Sequence, residues 1–131
     1  MPLSLNDTLD IPARALQLRS QRAEVLAANM ANADTPHYKA MDFDFSAMLK
    51  DAASSGATLN TTDPSHIRST ASDSSKVELM YRLPYQSSMD GNTVETEVEQ
   101  AQFAENAVQY QAAFTLLNGR IKSLLTAIKG D

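Results

Sequence analysis

The 131-residue sequence has no Cys, no Trp, only four Gly and five Pro, and no cluster of Lys or Arg. Without Cys there can be neither disulfide staples nor thiolate metal sites, and the redox compartment stays open. Four scattered Gly leave no glycine-rich phosphate loop. No apolar run approaches the roughly 18 residues of a membrane span. The first twelve residues carry Asp7 and Asp10 but no base, so a cleavable secretory signal is not expected. A net charge of -5 and a pI near 4.9 argue against nucleic acid, whose phosphates demand clustered cations. Large apolar side chains are scarce too. The chain is 43% hydrophobic by composition, but Ala supplies 19 of those residues, and Leu, Ile, Val and Phe together number 27. That share lies close to the level at which chains tend toward disorder, so a tightly packed α/β enzyme is not expected.

What apolar surface there is lies at the two ends. Leu5, Leu9, Leu16, Ala23, Leu26, Met30 and Ala33 recur at 4-3 spacing, interrupted by Pro12 and Arg19, and predict a helix within residues 1–36. Pro12 is tolerated only in a first turn, so this helix should start near Asp10 or kink there. Thr35-Pro36 stops it, because the residue before proline avoids the α region. Phe103, Ala107, Tyr110, Phe114, Leu117, Ile121, Leu124 and Ile128 form an unbroken 4-3 stripe and predict a longer helix within residues 93–131. Asn92 is a candidate N-cap with Glu95 three residues on. Glutamates gather at the start of this helix and Arg120, Lys122 and Lys129 at its end, with Gly130 as the stop. A second stripe, Val94, Val98, Ala101, Val108 and Ala112, runs along another face.

Residues 37–92 read as an irregular loop with one short extended segment. Within them, residues 51–75 hold seven Ser and four Thr against two large aliphatics, too little apolar surface to offset ordering entropy, and are expected to be mobile. Val77, Leu79, Tyr81, Leu83 and Tyr85 alternate with other residues in a period-2 strand pattern, which Pro84 restricts to an edge. The expected fold is therefore mainly α. It is a single domain of two long terminal helices packed as a coiled-coil hairpin, joined by an irregular middle with a short β segment.

No catalytic constellation emerges. His37 and His66 lie apart with no ligand spacing around them, and read as loop residues. In Met41-Asp42-Phe43-Asp44-Phe45, alternation explains the carboxylates better than catalysis does, with Phe43 and Phe45 facing a core and the two Asp facing water. Ser is abundant without a His/Asp partner arrangement. No catalytic, cofactor or metal residue is assigned, and neither a cofactor nor a small-molecule substrate is expected. The blandest role for the principal stripes, Leu9, Leu16, Leu26 and Met30 against Phe103 through Ile128, is to pair with each other. The second stripe then has no intrachain partner, and a helix apolar on more than one face is normally buried on more than one. Val94, Val98, Ala101, Val108 and Ala112 are thus candidate contacts to other subunits.

One segment is more specific than any periodicity. Ala28-Asn29-Met30-Ala31-Asn32-Ala33-Asp34-Thr35-Pro36-His37-Tyr38-Lys39 resembles the N-terminal signature of bacterial flagellar rod and hook proteins, an Asn-x-Ala-Asn-x-x-Thr-Pro-Gly-Tyr pattern. Asp42-Phe43-Asp44-Phe45, Tyr81-Arg82-Leu83-Pro84, Asp90-Gly91-Asn92-Thr93-Val94 and the run from Glu99 to Asn106 extend the resemblance over nearly the whole chain. The short length resembles a proximal-rod member, since hook and distal-rod relatives insert a large domain. The signature's usual Gly is His37 here, which puts the local turn geometry in question. The resemblance implies a structural subunit of the proximal rod, part of the hollow shaft that joins the MS ring to the distal rod and hook and transmits torque. Implied partners are other copies of itself, neighbouring proximal rod proteins, the MS-ring/rod junction protein and the flagellar type III export apparatus. The implied location is the basal body, with the rod in the periplasm. Asn29, Asn32, Thr35, Pro36 and Tyr38 would end the first helix and set its exit. A soluble helical adaptor or export chaperone is the competing class.

Overall fold

A computed structural model describes the chain over residues 5–54 and 77–130, without the side chains of residues 5–8 and 54. Helix α1 spans Leu5–Ala31, strand β1 Met41–Asp42, helix α2 Phe45–Ser54, strand β2 Met80–Tyr81 and helix α3 Thr96–Lys129. With 27 and 34 residues, α1 and α3 run about 40 Å and 51 Å at 1.5 Å per residue. They lie antiparallel, for Arg19, Arg22 and Asn29 of α1 are bonded to Asn106, Gln102 and Glu99 of α3. Continued at that spacing, the start of α1 falls level with Arg120, and the last turns of α3 project past it. The long helical hairpin is therefore present as expected.

Local chemistry accounts for the element ends, with some differences from expectation. α1 begins at Leu5, earlier than Asp10, and Pro12 lies inside it, its ring buried. The missing proline N–H leaves the Thr8 carbonyl without its helical donor. At the other end of the chain, Gly130 adopts a left-handed conformation (φ 75°) and donates its N–H to the Thr126 carbonyl at 3.0 Å, closing α3. α3 starts only at Thr96, and Asn92 is not its cap. Glu95 holds the N-cap position in extended conformation, and its carboxylate accepts the Tyr85 and Gln86 N–H groups at 3.1 and 3.2 Å.

The described parts of the middle include regular elements, α2 and the β1–β2 pair. Asp44 caps α2 by accepting the Ala47 N–H at 3.0 Å. The Arg19 guanidinium stacks over the Phe45 ring, 3.7 Å from its centroid, and joins α2 to α1. The segment expected to be mobile begins inside α2 at residue 51, while its part from residue 55 on lies outside the described residues. The expected nine-residue strand shrinks to β2, paired antiparallel with β1 in the register Met41 to Tyr81 and Asp42 to Met80. Around it Leu79, Met80, Tyr81, Leu83 and Tyr85 are all exposed, so the alternation does not divide a core face from a wet one.

Among the described residues the buried apolar side chains are few: Leu18, Leu26, Ala40, Phe43 and Pro12. The seam between the long helices is mostly polar. Glu99, Gln102, Asn106, Gln109, Ala113 and Leu117 are the α3 residues shielded in succession at 3-4 spacing. Phe103 lies one residue beyond Gln102, about 100° round the helix. The stripe it begins therefore runs along the edge of the seam and joins it at Leu117. Phe103, Tyr110, Phe114, Ile121 and Ile128 are 38, 40, 48, 39 and 73% exposed, and only Leu117 and Leu124 of that stripe are half-buried. The expected stripe on α3 is thus shielded at Leu117 and Leu124, and its other large members stand outside the seam.

Truncation should separate the two kinds of apolar residue. In urea unfolding of the isolated chain, Leu26→Ala should cost about 2–5 kcal/mol as a fully buried leucine. Ile128→Ala should stay within about 0.5 kcal/mol.

Candidate assembly site

The end of α1 is built from side chains that imitate backbone. The Asn29 amide is fully buried and pairs with Met41 of β1 in both directions. Its Nδ2 donates to the Met41 carbonyl at 2.7 Å and its Oδ1 accepts the Met41 N–H at 3.1 Å. The same Nδ2 reaches Glu99 Oε2 at 3.1 Å, and the Tyr38 hydroxyl donates to Oδ1 at 3.4 Å. Asn32 Nδ2 donates back to the Ala28 carbonyl at 2.8 Å, and Thr35 Oγ1 donates to Asn32 Oδ1 at 3.1 Å. Pro36 is exposed and follows the helix end. The turn beyond the helix is held by Asn92, whose Nδ2 is within hydrogen-bond reach of the Asn32, Ala33 and Thr35 carbonyls at 3.0, 2.8 and 2.9 Å. Asn92 thus ties down the turn that follows the first helix, while its Oδ1 accepts the Val94 N–H at 2.7 Å, two residues before α3 begins.

His37 answers the question raised by the signature. Its φ is +62°, so it adopts the left-handed conformation that glycine would take more easily. Its N–H donates to the Asp90 carbonyl at 3.1 Å, and a Cβ on Gly91 would come within 2.9 Å of His37 Nδ1. Asp90 itself lies below its ordinary pKa, held there by the Ser88 hydroxyl and the Asn92 N–H. Thr93 completes the zipper, accepting the Ala40 N–H at 2.8 Å and donating its own N–H to Tyr38 at 3.0 Å.

Beneath this turn lies a charged clamp. Arg22 forks onto Asp42, Nε to Oδ1 at 3.1 Å and Nη2 to Oδ2 at 2.9 Å, and Nη2 also reaches Gln102 Oε1 at 2.7 Å. Arg82 bridges Asp42 Oδ2 at 2.7 Å and Glu99 Oε1 at 2.5 Å. Two guanidinium groups and two carboxylates balance, and α1, β1, α3 and the residue after β2 are tied together. Glu99 has 1% of its side chain exposed, so an uncompensated charge there would be costly. Burial alone would raise the Asp42 pKa, but hydrogen bonds from Arg22, the Phe43 N–H and Arg82 outweigh it and hold it below its ordinary value. Arg22, hydrogen-bonded to Asp42, holds its proton more tightly than usual. Arg19 shifts the other way, through burial and the neighbouring Arg22 charge. Farther along the seam Asn106 Nδ2 donates to the Arg19 carbonyl at 2.9 Å, while its buried Oδ1 has no partner.

Asn29, Asn32, Thr35 and Tyr38, with Pro36 following, lie together at the end of α1. Asp42, expected to face water, is half-buried in the clamp. The ion pairs of Arg22, Arg82 and Glu99 and the carbonyl contacts of Asn92 were missed by the sequence reading. Polar residues at Glu99, Gln102, Asn106 and Gln109 share one helical face, and that pattern was the available signal. On α1, Leu26 is buried and Leu9, Leu16 and Met30 are half-buried. Of the second stripe, Val94 and Val98 are half-buried, while Ala101, Val108 and Ala112 are exposed.

Comparison with known proteins agrees with the signature. Residues 9–39 match the family described as flagella basal body rod protein. The flagellar basal body rod protein FlgB of Cereibacter sphaeroides (strain ATCC 17029 / ATH 2.4.9) is 50% identical over 125 residues, covering 95% of this chain and 96% of that one. FlgB of Escherichia coli K12 is 44% identical, with 95% of each chain covered. FlgB of Salmonella typhimurium LT2 is 42% identical, with 96% of each covered. The chain belongs to the FlgB family of flagellar basal body rod proteins. It is accordingly a structural, helical rod component. No helix among the described residues is long and apolar enough to cross a membrane.

Two variants probe the site in isolation from assembly. Because folding lowers the Asp42 pKa, its contribution is present above the unfolded value of about 3.9 and lost as pH falls through the folded one. Asp42→Asn should therefore lower the urea midpoint at neutral pH and shrink the loss of stability seen below about pH 4; an unchanged acid loss would contradict the clamp. His37→Gly should be neutral or stabilising by up to about 1 kcal/mol, the relief of left-handed strain offsetting the added chain entropy.

Proposed function

We propose that this chain is a structural subunit of the proximal rod, built into the hollow shaft that joins the MS ring to the distal rod and hook and carries torque. Its partners on this reading are further copies of itself, neighbouring proximal rod proteins and the MS-ring/rod junction protein. It reaches the periplasmic rod through the flagellar type III export apparatus. The observation that carries the reading is the exposed apolar surface of α3. Phe103, Tyr110, Phe114, Ile121 and Ile128 lie on one flank of the seam, and Val108 and Ala112 on another. A soluble single chain has no use for two such flanks, whereas a subunit surrounded by others buries both. Contacts that repeat head to tail without closing into a ring generate a tube. The clamp at the helix exit keeps the hairpin in shape while neighbours supply the remaining core.

Complementation of a strain lacking the native rod protein tests this. Phe114→Asp with Ile121→Asp should abolish swimming and rod formation while the purified chain keeps its helical circular dichroism. Val108→Asp with Ala112→Asp should do the same through the other flank. Wild-type motility in both would sink the assembly reading, and a stable stoichiometric complex with an exported protein, absent from rods, would favour an adaptor.

A further inference from the structure

The two edges of the small sheet are finished differently. Arg82 donates its N–H to the Ala40 carbonyl at 2.9 Å, so in the next pair, Met41 opposite Tyr81, the main-chain groups point away from each other. On the β1 edge the Asn29 amide takes both Met41 groups. On the β2 edge the N–H and C=O of Tyr81 have no partner among the described residues. Tyr81 and Leu83 are 75 and 89% exposed, so nothing covers their main chain, and Pro84 holds Leu83 extended. Pro84 itself has the parity that faces β1, where its missing N–H takes nothing from the free edge. An open edge flanked by exposed apolar side chains is a template for another strand.

The charges select which strand. Glu78 and Arg82 are the only charged residues from 77 to 85, two positions to either side of Met80. Glu78 is exposed and has no partner among the described residues. Arg82 commits its Nη atoms to the clamp, while its Nε–H has no acceptor among the same residues. We propose that the β2 edge receives β2 of a second copy, antiparallel, with Met80 on the two-fold axis. Glu78 then faces Arg82 of the second copy, Val77 faces its Leu83, and Leu79 exchanges both main-chain bonds with its Tyr81. In-register parallel pairing would set Glu78 against Glu78, and an axis at Tyr81 would set Glu78 against Pro84 and Arg82 against Met80. The product is one four-stranded sheet, whereas two strands alone are marginal. A two-fold pair closes on itself and cannot repeat along a shaft, so it belongs to the free chain and stands apart from the rod reading.

The absence of cysteine allows a direct test on the full chain. Under mild oxidation Met80→Cys should cross-link to itself, since a non-hydrogen-bonded pair has Cα atoms about 4.5 Å apart, inside the disulfide range. Tyr81→Cys alone should not cross-link, whereas Tyr81→Cys mixed with Leu79→Cys should. Tyr81→Pro removes the outward N–H and leaves the bonds to β1, so it should be monomeric with unchanged helical circular dichroism. Glu78→Arg should weaken the pair about tenfold or more. Self-linking of Tyr81→Cys in place of Met80→Cys would overturn the register. A chain that sediments as a monomer at concentrations on the order of 100 µM, or a dimer untouched by Glu78→Arg or by Tyr81→Pro, would overturn the proposal.

Discussion

Arg22 and Arg82, sixty residues apart in sequence, share one carboxylate, Asp42, and Arg82 continues to Glu99 inside α3. Everything else in the hairpin depends on that junction. It is the only place where the first helix, the β segment and the last helix are all in contact through charged groups among the described residues. In a chain with so few large apolar side chains, the position of the helices is fixed less by oil than by ions. Buried pairs of this kind add little net stability, because desolvation consumes most of the attraction. Their effect is on specificity: any other alignment of the helices leaves a charge buried alone.

Asn29 extends the same logic to neutral groups. Its amide satisfies the donor and acceptor of Met41 as a neighbouring strand would, and so locks β1 to the last turns of α1. Asn92 gathers the carbonyls of Asn32, Ala33 and Thr35 and so fixes the turn that follows α1. With polar groups holding the hairpin, the apolar residues are released for contacts outside it. A thin internal core and a well-defined fold are then compatible.

The division of labour also explains the position of the apolar stripe. A two-helix protein that buried Phe103 through Ile128 inside itself would have nothing left for its neighbours. Rotating α3 by about one residue puts Gln102 and Asn106 on the seam and Phe103 beside it. The buried Asn106 Oδ1 without a partner is the mark of that choice, since an apolar residue at the seam would have been easier to satisfy.

The long helices, the stop of α3 at Gly130 and the family signature were legible in the residues, because periodicity and short motifs act locally. The face that each helix turns inward was not. Strict 4-3 apolar spacing at Phe103 through Ile128 says that the stripe will be buried, but not by what, and a single chain and an assembly write the same pattern. Nor could spacing reveal that Arg22, Asp42, Arg82 and Glu99 converge, since the attraction of charges depends on distance in space and not along the chain. The sequence by itself determined that both ends of the chain form long helices. Only the tertiary structure decided that ions and amides hold those helices together, leaving the apolar surface outside.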